Sequence, residues 1–537
     1  MTGWFDRVVL DLGRQMRWSF LPPLMIYFSA GVSGLTAIVG AFFVKDYLGL
    51  SAAFLAGLAF WAGLPWALKM PLGHLVDLIW RWKAVLVFIG AGLVATSLGI
   101  MYFLITERAW MASIMPLSAW YVTSVLLAPS GYVVQDAVAD AMSVEAVPTH
   151  TDTGAPIAET DTKAMHTTMQ TLGRFSLILG SVGVAVLNIV MFSGVEALDP
   201  AGKQAVYAQV YLMALAIPVL SVSGVVLAAL QRRSQRAAMQ RAGVANATIE
   251  QALGRAGDPP DLNHWYFTGG AAFVVLSLVI GLSDVPFGQE LVFIGSMSVV
   301  LFLMRQLLQV LEPAKARALV GTAVIIFVFR AVPLPGPGKT WFEIDELKFD
   351  EQFLSVLSLI TAALTLAGIL LLRPLMARWP ITKIVILLTI VGGVLSLPNI
   401  GLFYGLHHWT AGLTAGIVDA RFIAIMDTAV ESPLGQVAMI PMLAWIARNA
   451  PTELKATFFA VMASFTNLAL SASSLITKYM NQLFEVTREV RNEAGEITIP
   501  ALYDALGPLL IWVAVIGVVA PLVTIALVQR SRLRTTD

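Results

Sequence analysis

The chain has 537 residues, of which 58% are hydrophobic and only 13% charged, with 34 Lys and Arg against 34 Asp and Glu. Soluble domains run nearer a quarter charged, so the composition points to a polytopic membrane protein. The neutral balance leaves no electrostatic footprint for nucleic acid, and the absence of cysteine excludes a disulfide framework, a cysteine zinc site and a thiol nucleophile.

The N-terminal stretch "MTGWFDRVVLDLGRQMRW" lacks a short apolar core followed by a small-residue cleavage site, and reads as an amphipathic cytoplasmic lead-in. A helix crossing hydrocarbon needs about 20 apolar residues. That length predicts six spans in the first half, at 20–43, 51–69, 84–105, 112–146, 166–193 and 205–230. The polar, basic stretch 231–264 then reads as a linker. Two further spans follow at 265–283 and 288–311, and six more at 316–333, 352–372, 381–404, 421–447, 457–481 and 506–529. The stretch 411–421 reads equally as an early helix start or as loop. The expected fold is therefore all-α and polytopic, with 14 transmembrane helices. It divides into an N-terminal six-helix half (1–230), a cytoplasmic linker (231–264), an inserted helix pair (265–311) and a C-terminal six-helix half (312–537).

Basic residues mark cytoplasmic loops. With the N-terminus inside, most Lys and Arg fall on one side, among them Arg14, Arg17, Arg81, Lys83, Arg232, Arg233, Arg236, Lys315, Arg448 and Arg530. The acid-rich loops 334–350 and 482–504 fall on the other. An even number of spans with both termini cytoplasmic satisfies this bias, as for a multi-pass protein of the plasma (bacterial inner) membrane.

Two six-helix halves joined by a basic cytoplasmic linker have the outline of a major-facilitator transporter. Between the second and third spans stands "PLGHLVDLIWRWK", with Gly73, then Asp77 four residues on, then Arg81 and Lys83. It resembles that superfamily's cytoplasmic loop, although the basic residue usual right after the aspartate and the glycine before the basic pair are absent. A plain positive-inside loop is the alternative reading. Three segments carry a closer resemblance, to the folate–biopterin transporter family: 41–77, "SGYVVQDAVADAMSVEA" (130–146), and "PMLAWIARNAPTELKATFFAVMASFTNLALSAS" (441–473), the last containing Asn467. The first two are also similar to muropeptide permeases. The resemblance implies a secondary transporter of a pteridine-like or other anionic metabolite.

The segment 130–146 places Gln135, Asp136, Asp140 and Glu145 in an otherwise apolar span. Asp136 and Asp140 stand four apart, on one helical face. Ionised side chains are costly in hydrocarbon and usually face a cavity or a partner. Two close, poorly solvated carboxyls resist joint ionisation, which suits a proton-coupled carrier. Pro129 and Gly131 just upstream permit a kink. Arg174, at similar depth in the fifth span, is the expected counter-charge for Asp136, either in a working site or as plain neutralisation. Glu145, nearer the cytoplasmic end, reads as gate or surface. In the second half Asp427 and Glu431 repeat the four-residue spacing, with Glu431 the deeper. Arg330 reads as an anion attractor or an interfacial snorkel.

Trp61, Trp66, Trp120 and Tyr121 fit membrane-interface belts better than a ligand stack. No phosphate loop, metal-spaced cluster or nucleophile elbow stands in the sequence, so no cofactor and no enzymatic activity are expected. The expectation is a monomeric carrier whose partners are a small-molecule substrate, protons and the bilayer. A non-transporting membrane assembly factor on the same fold is the reading from another class.

Overall fold

The structure, a computed structural model, describes residues 14–44, 50–67, 69–151, 155–253, 285–309, 311–434, 455–491 and 497–534, with a few isolated positions besides. The N-terminal helices are α1 (Leu21–Val32), α2 (Ala37–Phe43), α3 (Ala52–Ala67), α4 (Lys69–Leu78), α5 (Lys83–Thr106), α6 (Arg108–Ile114), α7 (Leu117–Glu145), α8 (Glu159–Met191), α9 (Pro200–Ala214), α10 (Ala216–Arg241) and α11 (Asn246–Leu253). The later ones are α12 (Gly288–Leu308), α13 (Pro313–Ala331), α14 (Pro337–Asp345), α15 (Glu351–Arg378), α16 (Ile381–Phe403), α17 (Leu406–Leu413), α18 (Ala420–Glu431), α19 (Lys455–Leu483) and α20 (Leu506–Arg530). An antiparallel pair of short strands, β1 (Val490–Arg491) and β2 (Ile497–Ile499), lies in the loop before α20. Among the described residues, eight helical stretches are long and apolar enough to cross a membrane, and shorter apolar helices start at Ala52 and Gly288.

Several boundaries differ from expectation for local reasons. The expected span 112–146 is two helices, because Pro116 drives Met115 out of the helical region to φ −155°, ψ 152°. Trp120 then ties the pieces together, its indole Nε1 donating to the Met111 carbonyl at 3.1 Å. Pro129 sits inside α7, which runs on as helix to Glu145. The span expected at 205–230 is α9 followed by α10, and α10 continues to Arg241, so the start of the expected linker is helical. There Met239 and Ile249 are both buried as α11 packs on α10, and Arg236 pairs with Glu250. Between α17 and α18 the chain is loop, with left-handed backbone at Ala415 and Gly416, and the Asp419 side chain caps α18 by accepting from Phe422 N at 2.8 Å. The span expected at 265–283 lies mostly outside the described residues. So does the part of 421–447 beyond Leu434, where α18 has already given way to a turn at Ser432–Leu434.

The chain divides into two compact units. One is drawn from Met1–Thr36, Pro71–Met191 and Leu198–Tyr266, the other from Ala37–Met70, Phe192–Ala197 and Phe267–Asp537. The first has its core at Phe20, Tyr27, Val87, Val138, Ala139 and Met169. The second is centred on Leu319, Ile325, Ile326, Val385 and Leu468, and within it α3 lies along α19.

Helices meet in this lipid-facing architecture where glycine removes the side chain. A Cβ at Gly31 of α1 would lie 1.9 Å from the Leu177 carbonyl oxygen of α8, and one at Gly180 would lie 2.6 Å from the Phe28 carbonyl. Helices α5 and α7 cross in the same way: a Cβ at Gly90 would meet the Gly131 carbonyl at 2.6 Å, and one at Gly131 the Gly90 carbonyl at 2.5 Å. These are backbone-to-backbone contacts that no rotamer change relieves. Gly31→Ala is therefore expected to destabilise the protein by about 1–3 kcal/mol, the usual penalty of overpacking. Gly34→Ala, whose added methyl meets open space, should be neutral. Thermal unfolding of the purified variants checks both, and equal midpoints would contradict the close-contact account.

Candidate functional site

Helix α7 threads its polar residues between α1, α5 and α8. Ala137, Val138 and Ala139 are buried in the core of the first unit, which fixes the rotation of the helix and leaves Asp136 and Asp140 half-buried. Gln135 is buried against Gly90, where a Cβ would strike its Cγ at 2.7 Å. The Tyr27 hydroxyl of α1 donates to Asp140 Oδ1 at 2.7 Å. Its ring reaches this point across Gly173 of α8, where a Cβ would stand 3.0 Å from a ring carbon. On the other side of Asp140 the Ser143 hydroxyl returns to the Asp140 carbonyl at 2.7 Å.

The counter-charge expected for Asp136 from the fifth span is not in place. Arg174 is exposed on α8, and among the described residues it forms no ion pair with Asp136. The face of α8 turned to α1 carries Gly173, Ser176, Gly180 and Ser181 instead, with the Ser176 hydroxyl donating to the Leu24 carbonyl at 2.9 Å. The difference matters chemically. A guanidinium holds a carboxylate ionised through charge. A phenol can donate to the carboxylate or accept from the carboxylic acid, so the contact survives a change of protonation. Tyr27 carried a sequence signal of its own: a tyrosine deep inside an apolar span has a hydroxyl that needs a partner.

At the cytoplasmic end of α7, Glu145 joins three helices. Lys83 Nζ, at the start of α5, meets Glu145 Oε1 at 2.5 Å, and Arg232 of α10 engages Oε2. Lys83 is only 5% exposed and lies 3.8 Å over the Trp80 ring. These bonds tie the cytoplasmic ends of α5, α7 and α10 together as a latch. Gly73 has open space at its Cβ position, and the side chains of Asp77 and Arg81 lie outside the described residues. In the sequence Arg232 is only one of the basic residues of the cytoplasmic side, because the linker's arginines look alike until α10 aims one of them at Glu145.

The second unit does not repeat this arrangement. Asp427 of α18 turns toward α16, accepting from Asn399 Nδ2 at 2.7 Å, while its Oδ1 is buried without a hydrogen-bond partner among the described residues. Asn399 also lines a shallow cleft with Phe342 and the Lys339–Glu343 pair (3.4 Å). Glu431, expected deeper, is exposed at the end of α18. Asn467 Nδ2 donates to the Trp66 carbonyl at the end of α3, at 3.1 Å. Trp61 packs edge-on to Phe60 at 5.4 Å. Arg330 is half-buried near the end of α13, and Arg305 is exposed on α12.

Comparison with known proteins gives the same outline. A family model described as the BT1 family matches residues 30–534. The folate-biopterin transporter of Synechocystis sp. is 22% identical over 480 residues, spanning 89% of this chain and 78% of its own. Among solved structures, a POT family transporter in complex with 5-aminolevulinic acid superposes with a TM-score of 0.61 at 13% identity, covering 97% of this chain and 96% of that one. A variant of the nucleoside transporter NupG superposes with a TM-score of 0.52 at 12% identity, covering 95% and 98%. At such identities the likeness is one of fold, and the fold is the major-facilitator fold.

The latch yields a stability test. Glu145→Ala leaves the buried Lys83 ammonium without this carboxylate, and breaking such a pair costs about 3–5 kcal/mol. Replacing both partners, Lys83→Met with Glu145→Leu, should recover most of that loss. Thermal unfolding reads both variants, and an alanine variant as stable as the parent would contradict the latch.

Proposed function

The chain belongs to the BT1 family and is a multi-pass membrane transporter of small molecules, and on that premise we propose that it is a proton-coupled secondary carrier of a pteridine- or folate-like solute or another anionic metabolite. The observation that carries the coupling is the seating of Asp140, half-buried on α7 beside Asp136 and bonded by an uncharged phenol. The substrate class is supported by the 22%-identical relative named a folate-biopterin transporter.

The mechanism follows from charge. With both aspartates ionised, the first unit carries negative charge where an anionic solute would pass, and moving that charge through a closed, dehydrated state is costly. Protonation at a carboxyl removes the repulsion, lets the anion approach and lowers the barrier to reorientation. Release of the solute and the proton on the other side resets the cycle. Tyr27 keeps Asp140 oriented in both protonation states, as argued above. The Glu145 latch holds the cytoplasmic ends of α5, α7 and α10 together as a rigid block, so that the unit moves as one body during alternating access. In this reading the two halves are residues 1–230 and 312–537, the inserted pair is 265–311, the termini are cytoplasmic, the membrane is a bacterial inner membrane and the working form is a monomer.

In proteoliposomes, Asp136→Asn and Asp140→Asn should each abolish uptake of radiolabelled folic acid driven by a pH gradient while the protein still inserts. Normal gradient-driven uptake by both variants would remove the carboxylates from the mechanism. Tyr27→Phe should lower the same uptake by roughly tenfold, the scale of one hydrogen bond to a charged group. Full activity would mean that the phenol is only packing.

A further inference from the structure

The inserted helix α12 takes no part in the site above, yet its first turn reaches two different helices with two adjacent polar side chains. Gln289 Nε2 donates to the Gly57 carbonyl of α3 at 3.1 Å. The Glu290 carboxylate receives Lys478 Nζ at 3.2 Å and the Tyr479 hydroxyl at 2.5 Å, both from the last turns of α19. One turn further along α12, Val292 is fully buried against Phe60 and Leu64 of α3 and Leu475 of α19. The bridge accounts for the glycine at 57: a Cβ there would press on Gln289 Nε2 at 3.0 Å.

Helices α3 and α19 also touch directly. A Cβ at Gly63 would lie 3.8 Å from Ser471 Oγ, in ordinary contact, and Asn467 holds the Trp66 carbonyl as described. Helices α3 and α19 lie in the same compact unit, but by sequence order α3 is the second span of the first half and α19 belongs to the second half, so in the alternating-access reading above a gate between the halves falls on this contact. Gly57, Gln289 and Lys478 all sit within a few residues of helix ends that the charge bias assigns to the non-cytoplasmic side.

The two arms of the bridge differ in strength. The Glu290 arm is charge-assisted and doubly bonded, whereas the Gln289 arm is a single neutral hydrogen bond. Resting on the alternating-access reading, we propose that α12 is a strap that stays fixed to α19 through Glu290 and holds α3 closed through Gln289. Opening of the outer side then breaks the Gln289–Gly57 bond and leaves the Glu290–Lys478–Tyr479 cluster intact. Gln289 and Gly57 become positioning residues for transport, acting on the gate without touching the solute.

The native chain has no cysteine, so a single introduced thiol reports on the gate against a silent background. Ser471→Cys places a probe in the α3–α19 contact, where the residue is 2% exposed. Its rate of maleimide labelling in purified protein follows the open fraction. With Gln289 intact the thiol should label slowly, and Gln289→Leu should speed labelling about fivefold, the population change that one lost hydrogen bond produces. Gly57→Ala, which crowds the amide without removing it, should move the rate the same way by a smaller factor. A thiol at exposed Arg233 (Arg233→Cys) should label equally in every background, as it must if the variants are folded. Unchanged Ser471→Cys labelling in both variants overturns the strap, as does fast labelling with Gln289 in place. A disulfide between Gly63→Cys and Ser471→Cys should block folic acid uptake into proteoliposomes until reductant is added. Uptake undiminished by that disulfide would sink the alternating-access reading and the strap with it. Blocked uptake with unchanged labelling would sink the strap alone.

Discussion

An ionised carboxylate in a spanning helix must be given a partner or kept in contact with water, at a penalty of several kcal/mol otherwise. Asp140 meets this constraint through Tyr27, and much of the first unit can be understood as the packing that brings the phenol there. Helix α1 can carry the ring to α7 only if it lies in backbone contact with α8, which Gly31 and Gly180 allow. The ring needs the hollow left by Gly173. Helix α7 presents Asp140 rather than an alanine because Ala137, Val138 and Ala139 are locked into the core and because Gly90 and Gly131 set its crossing with α5. A change at any of these small residues would be felt at the carboxyl without touching it.

The same economy of polar contacts operates at the helix ends. Glu145 binds α5, α7 and α10 through one carboxylate, and Glu290 binds α12 to α19 through another. Both use strongly bonded charge where the structure must stay rigid. Where the strap proposal has helices part, the contacts are weaker: Gln289 to a carbonyl, Asn467 to a carbonyl, and the small-residue face of Gly63 and Ser471. This grading of bond strength is what the proposed alternating access would require.

Much of the fold was legible from sequence, because span length, charge bias and helical periodicity are local properties. Spans at 84–105, 381–404 and 506–529 match α5, α16 and α20 to within a residue or two. The i, i+4 placement of Asp136 and Asp140 was equally plain. What was not legible is rotation. Arg174 was the expected counter-charge for Asp136 and lies exposed, while Tyr27 reaches Asp140, and both outcomes depend on the α1–α8 contact, a tertiary fact set by glycines far apart in sequence. Rotation also separates Asp427, held by Asn399, from exposed Glu431, although their spacing copies that of the first-half pair. The division at Pro116 was readable from proline chemistry and was hidden by the unbroken apolar run around it.

The central claim is that the α7 carboxylates exchange a proton as solute binds. Proton exchange on adding folic acid to purified protein in unbuffered medium measures this without any transport assay. The account predicts a pH change in proportion to ligand bound for the parent protein, and none for Asp140→Asn. An identical proton signal from that variant, or binding by the parent with no pH change, would contradict it.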